Sequence, residues 1–186
     1  GAEQLYASGY DDEALDRSEN GISAVDASWQ AVWDACPTVT LAEAVDVIAR
    51  HKARGVPITA ETCPHYLWLS DEEVEALLPE AKILPLIRGS ADRAALWEGI
   101  TTTTIDVVAT DHAPHRPEEK EGASDLWAVP AGSPGVETLL PLMLDAVHEG
   151  RLTLPRLVQL LCANPARIFG LHPAKGSLRP GSDGDV

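Results

Sequence analysis

Basic residues are scarce in this chain: 14 Lys and Arg stand against 29 Asp and Glu, for a formal net charge of −15. A surface that negative repels phosphate backbones and anionic headgroups, so nucleic acid and membrane surfaces are poor partners. An anionic substrate is still allowed, because a metal or one arginine can reverse the field inside a pocket. Cysteine is scarce too. Cys36, Cys63 and Cys162 are widely spaced and contain no C-x-x-C pair. That argues against a disulfide framework and for a reducing, cytoplasmic setting. No apolar run approaches the ~18–20 residues of a membrane span. The opening Gly-Ala-Glu-Gln has neither the basic nor the apolar region of a signal peptide, and no Met precedes it. Processing, or derivation from a longer polypeptide, is therefore expected. Internal repeats and low-complexity tracts are missing as well.

What is present is ordinary for a globular domain. Of the 186 residues, 45% are hydrophobic and 23% charged, enough for one good core. Residues 1–36 form a poorly defined acidic lead-in, where Trp29, Val32 and Trp33 have the spacing of a short helix. Thr40-Leu41-Ala42-Glu43 has the T-x-x-E form of a capping box, which predicts a helix to about Arg54, closed by Gly55. Val56–Thr62 reads as a strand, Ser70-Asp71-Glu72-Glu73 as a second capping box, Lys82–Ile87 as another strand and Ala91–Ile100 as a helix. Pro117–Gly135 is a polar loop long enough to be a lid. Helices over about 136–149 and 153–162 follow, with a short third one opened by Asn164-Pro165 and closed by Gly170.

Strands alternating with helices of this length imply βα units and a parallel sheet, hence an α/β fold. Three such units are clear, with the stub of a fourth strand near Val39. Ile105-Asp106-Val107-Val108-Ala109 is apolar and β-branched, as a strand buried on both faces should be. It stops on Asp111, His112 and His115, with Pro114 between them. Two readings are open: an Asp capping a loop with solvated histidines, or a reactive group at the carboxyl end of a barrel strand. His65, in Cys63-Pro64-His65, closes the earlier strand in a similar way. An imidazole and a carboxylate converging on one rim suit zinc, and a carboxylate beside a bound water can also take its proton.

Five segments occur in order: Glu61-Thr62-Cys63-Pro64-His65-Tyr66-Leu67, Ala109-Thr110-Asp111-His112-Ala113-Pro114-His115, Pro130-Ala131-Gly132-Ser133-Pro134-Gly135-Val136-Glu137-Thr138, Asn164-Pro165-Ala166-Arg167 and Lys175-Gly176-Ser177-Leu178-Arg179-Pro180-Gly181-Ser182-Asp183. Together they resemble the C-terminal half of the cyclic amidohydrolases, the dihydroorotases, allantoinases and hydantoinases. The resemblance implies part of a (β/α)8 TIM-type barrel over 37–172, leading at 173–186 into a small β domain. It implies a two-zinc site that hydrolyses a cyclic amide. On that resemblance His65 is a zinc ligand, and Asp111 is both a ligand and the catalytic proton shuttle. His115 is a substrate contact, and Pro134 and Gly135 form the loop that meets substrate with backbone groups. His112 has no family role and reads as a supporting or structural residue.

Departures from the family pattern are equally visible. The paired ligands of an H-x-H motif and the bridging carboxylated lysine have no counterpart in residues 1–36, which hold neither His nor Lys. Thr38 stands where the family has a further ligand histidine, and Leu84-Pro85-Leu86 where it has Asn-Pro-Pro, although Arg88 remains. Two functions follow as expectations. One is a portion of a zinc hydrolase, inactive or nearly so alone, whose partners are a small cyclic amide and either a second copy or a missing N-terminal half. The other is a catalytically inactive homologue serving as a structural partner subunit.

Overall fold

The computed structural model describes residues 38–121 and 128–184. The acidic lead-in and its Trp29–Trp33 helix lie outside the described residues. Within them, parallel strands alternate with helices, as an α/β chain should. β1 (Glu61–Thr62) pairs in parallel with β2 (Val107–Val108), in the register Glu61 to Val107 and Thr62 to Val108. Thr38 bridges Glu61 on the other side, also in parallel, with the Val39 amide donating to the Glu61 carbonyl at 2.7 Å. The expected stub near Val39 is thus the outer neighbour of β1.

Both strands are shorter than their apolar patterns suggest, because side chains have taken over part of the ladder. The Asp106 carboxylate accepts from the Ala60 amide at 2.9 Å and from Lys52 Nζ at 2.6 Å. The expected strand at Lys82–Ile87 is irregular chain instead. Its carbonyls are claimed from elsewhere: Lys82 O by the Gly132 amide and Lys120 Nζ, Pro85 O by the Tyr66 hydroxyl. Ile83 and Ile87 are buried while Leu84 and Leu86 are exposed, so apolarity alone misread this segment. β1 and β2 are consequently direct neighbours, with no strand between them.

Helix α1 (Ala42–Ala53) follows Leu41 rather than Thr40, and no side chain of its own caps it. The expected T-x-x-E box does not form. Thr40 is buried, and the free Ala42 amide is met at 2.8 Å by Asp92. The second box does form: Ser70 and Glu73 satisfy one another at the start of α3 (Asp71–Val74), which follows the short α2 (Pro64–Trp68). Helix α4 (Ser90–Thr101) then packs Leu96 and Ile100 into the same core as Val45 and Ile48 of α1. Each such fully buried aliphatic side chain stabilises the fold by about 1.5–3 kcal/mol.

A short helix, α5 (Pro117–Glu121), opens the segment expected to be a polar loop. α6 (Val136–His148) and α7 (Leu154–Val158) follow, the latter capped by Thr153 and continued by a π-helical turn at Gln159–Ala163. α8 (Asn164–Ile168) is the short helix expected at Asn164-Pro165. Asn164 does not cap it, however; its amide donates to Asp106 O at 2.8 Å. Arg156 donates to Ile100 O at 2.9 Å and Ile105 O at 2.6 Å, fastening α7 to the entry of β2. α6 buries Met143 and Ala146 but exposes Val136, Leu140 and Leu144 on its other side. No helix among the described residues is long and apolar enough to cross a membrane.

Candidate functional site

The parallel register fixes the geography. His65 lies three residues beyond Thr62, and Asp111 three beyond its partner Val108. Both therefore issue from the same end of adjacent strands. His65 sits in the first turn of α2, its ring edge-on to Tyr66 at 4.2 Å. Its Nε2 is buried and has no hydrogen-bond partner. Burial lowers the imidazole pKa to about 4, so the ring is neutral near pH 7 and has a lone pair to offer.

Asp111 is exposed and takes a φ of 46°, a left-handed conformation unusual outside glycine. Strain of that kind costs on the order of 1–3 kcal/mol and clusters at ligand-binding and catalytic positions. The Asp111 charge reaches the end of β1 as well. Burial, and behind it the Glu61 and Asp111 charges, push the Cys63 thiol well above its ordinary pKa. Tyr66 is raised chiefly by burial, with Cys63 and Asp111 adding to it. Glu61 is raised by burial, against a hydrogen bond from Thr38 and with Asp111 reinforcing the shift. Glu61 and Thr38, which the sequence did not mark as a pair, meet at 3.1 Å, the hydroxyl donating to Oε1.

The remaining candidates gather beside this end. His115 Nε2 donates to Ala131 O at 3.2 Å, and its Nδ1 lies 3.7 Å from the Glu119 carboxylate. Pro134 lines a cavity of about 430 Å³ together with His65, Leu69, Leu77, Ile83 and Ser133. Gly135 packs so closely on the end of β2 that a Cβ there would lie 2.7 Å from Thr110 O. His112, without a family role, ties the two stretches together: its Nδ1 accepts from the Gly135 and Val136 amides at 3.0 and 3.2 Å. That assigns its proton to Nε2. The chain thus brings His65, Asp111, Pro134 and Gly135 to one region, with His115 holding its flank.

Metal binding asks for more than is assembled. A structural zinc takes about four protein donors and a catalytic one about three plus water. Among the described residues no group of three His, Cys, Asp or Glu is placed to hold a metal ion. The unpartnered His65 Nε2 suits a ligand, but the Thr38 hydroxyl is spent on Glu61 where the resemblance places an imidazole. These residues by themselves do not fit a complete zinc site.

Residues 31–186 match the Amidohydrolase family. A dihydroorotase of Geobacter sp. (strain M21) is 46% identical over 140 residues, covering 75% of this chain and 32% of that protein. An L-hydantoinase of Paenarthrobacter aurescens is 38% identical over 146 residues, covering 77% and 32%. Among solved structures, the L-hydantoinase from Arthrobacter aurescens superposes with a TM-score of 0.79 at 33% identity, over 94% of this chain and 38% of that one. An inactive dihydroorotase-like domain of a Chaetomium thermophilum CAD-like multifunctional protein gives 0.56 at 25% identity, over 80% and 42%. The chain spans about a third of the length of the curated relatives it matches.

Proposed function

This chain belongs to the amidohydrolase family, and from that premise we propose that it is a portion of a zinc-dependent hydrolase of cyclic amides. Residues 37–172 then correspond to the C-terminal half of a (β/α)8 barrel, and 173–186 to the approach to a small β domain. His65 and Asp111 are the residues that would hold a metal in the complete site, and Asp111 is the carboxylate that would serve there as a proton acceptor. His115 and the backbone of Pro134-Gly135 contact the substrate ring. The observation that carries the reading is the shared strand end: a partnerless, neutral His65 Nε2 and a strained Asp111, three residues past paired positions of neighbouring parallel strands. The donors still needed lie outside the described residues, so no catalytic step is assigned to this chain alone. The exposed Val136, Leu140 and Leu144 face of α6 supports a covering polypeptide, either a second copy or the remaining βα units.

Zinc analysis together with turnover of hydantoin, dihydroorotate and allantoin tests this. The chain alone is expected to hold less than one zinc per molecule and to turn over none of the three. A hydantoin titration followed by amide NMR should still perturb Gly135 and His115. Stoichiometric zinc with turnover would overturn the incomplete-site reading, and absence of any shift at Gly135 would overturn the substrate assignment. A second reading, an inactive homologue that serves another subunit, is favoured by the Thr38–Glu61 hydrogen bond. Replacing Thr38 with His distinguishes them: a gain in zinc affinity supports the hydrolase portion, and no gain supports the structural partner.

A further inference from the structure

Lys120 has no place in the reading above, yet it is one of the most deeply enclosed charges among the described residues, 5% exposed. It sits on α5, and its ammonium donates to three backbone carbonyls: Glu80 O at 2.6 Å, Gly132 O at 2.6 Å and Lys82 O at 3.1 Å. Three protons thus meet three acceptors, which accounts for the whole donor capacity of a lysine. An ammonium stripped of water is costly unless fully bonded, and three carbonyls aimed at one point are equally costly without it. Cation and cage therefore require one another. Burial lowers the Lys120 pKa, with the Glu80 charge opposing that shift.

The cage helps join two stretches far apart in the sequence, 80–82 and 129–132. Around it, the Gly132 amide donates back to Lys82 O at 3.1 Å, and Lys82 Nζ donates to Val129 O at 2.6 Å. Beyond Gly132 the chain is laid along the end of β2: the Ala113 amide donates to Ser133 O at 3.0 Å, and the Gly135 amide to His112 Nδ1. Ala131 O receives His115 Nε2. Gly132 stands at the head of this run, held by its carbonyl on Lys120 Nζ and by its amide on Lys82 O.

We infer that Lys120 is a positioning residue: its ammonium sets the backbone of residues 131–135 against Thr110–Ala113, and so places Pro134-Gly135 and His115 at the strand end. What that loop is placed for rests on the substrate assignment proposed above; the clamp itself does not. Lys120→Met keeps the length of the side chain and removes the charge. Hydrogen exchange read by NMR on the intact chain should speed up at least tenfold at the Gly132, Ala113 and Gly135 amides. The helix amides of Leu96 and Ile100 in α4 should hold their wild-type rates. The ¹⁵N resonance of His112 Nδ1 should move as its bond from Gly135 loosens. Unchanged rates at the three amides, or equal acceleration of Leu96 and Ile100, would overturn the inference. If Lys120→Met does not fold, Lys120→Arg serves: it keeps the charge but cannot direct three protons from one nitrogen, so the same amides should quicken. Hydantoin separates this inference from the functional one. No shift at Gly135 in the wild type defeats the substrate assignment and leaves the exchange result standing. A wild-type shift that survives unchanged in Lys120→Met overturns the positioning role.

Discussion

Replacing Gly135 with Ala isolates how rigidly the α6 entrance is pressed against β2. Gly135 has a φ of −137°, outside the positive range that would itself call for glycine. The contact is what calls for it. An added Cβ would lie 2.7 Å from Thr110 O and 3.2 Å from Thr110 Cβ, whereas carbon–oxygen contacts ordinarily settle near ~3.3–3.6 Å. The loop must retreat by about half an ångström or more, and overpacking of that kind costs about 1–3 kcal/mol. Retreat also stretches the two bonds into His112 Nδ1, each worth about 1 kcal/mol. If both bonds are lost, the sum is about 3–5 kcal/mol. Gly150→Ala is the control: its φ of 75° penalises a side chain by about 1–2 kcal/mol, but nothing lies within 4 Å of the new methyl. Urea unfolding followed by tryptophan fluorescence gives both values under one set of conditions. If Gly135→Ala costs no more than Gly150→Ala, the close approach is soft and the argument for a pinned loop fails.

Other substitutions probe other parts of the same account. At Asp111, Gly should be more stable than Ala by about 1 kcal/mol in urea midpoints, reversing the usual order, because only Gly is at ease at positive φ; equal stabilities would remove the case for strain. For His65 the folded-state pKa lies near 4, below the ordinary 6.5, so on acidification the unfolded chain takes the proton first. In chelator, stability should be full above about pH 6.5 and fall by about 3 kcal/mol on approach to pH 4, relative to a His65→Gln variant. Parallel curves for the two proteins would show that the ring is not held neutral. Arg156→Ala strips partners from Ile100 O and Ile105 O and should cost about 2–4 kcal/mol in the same unfolding assay; a loss below ~0.5 kcal/mol would mean that water replaces the guanidinium.

Local chemistry was legible where it acts over a turn or two. The Ser70–Glu73 box forms because both partners lie within one helical turn, and α4, α6 and α8 fall where spacing and punctuation put them. Thr40 defeated the same reasoning, because the free amide of α1 is met by Asp92, fifty residues away. Strand lengths failed for a related reason. Lys82–Ile87 has the composition of a strand, but its backbone is engaged by Lys120, Gly132 and Tyr66 from distant segments. Within the site, His65 and Asp111 were readable from their segments, and the parallel register then places them at one end. His112 was legible only as a supporting residue, without its partners, and Lys120 not at all, since their partners are main-chain atoms, which leave no trace in residue identity.

The grip of Arg156 and Asn164 on the end of α4 and the residues leading into β2 has a consequence for how much of this polypeptide is needed to make any of it. Two side chains, from α7 and α8, satisfy backbone carbonyls at the end of α4 and on the approach to β2. Shortening the chain before Thr153 would strip the partly buried carbonyls of Ile100, Ile105 and Asp106 of the side-chain donors that meet them. Helices α7 and α8, which follow β2 in the chain, are therefore a condition for the strand that leads to Asp111, and a product ending before them should be cleared by proteases rather than persist as a smaller domain.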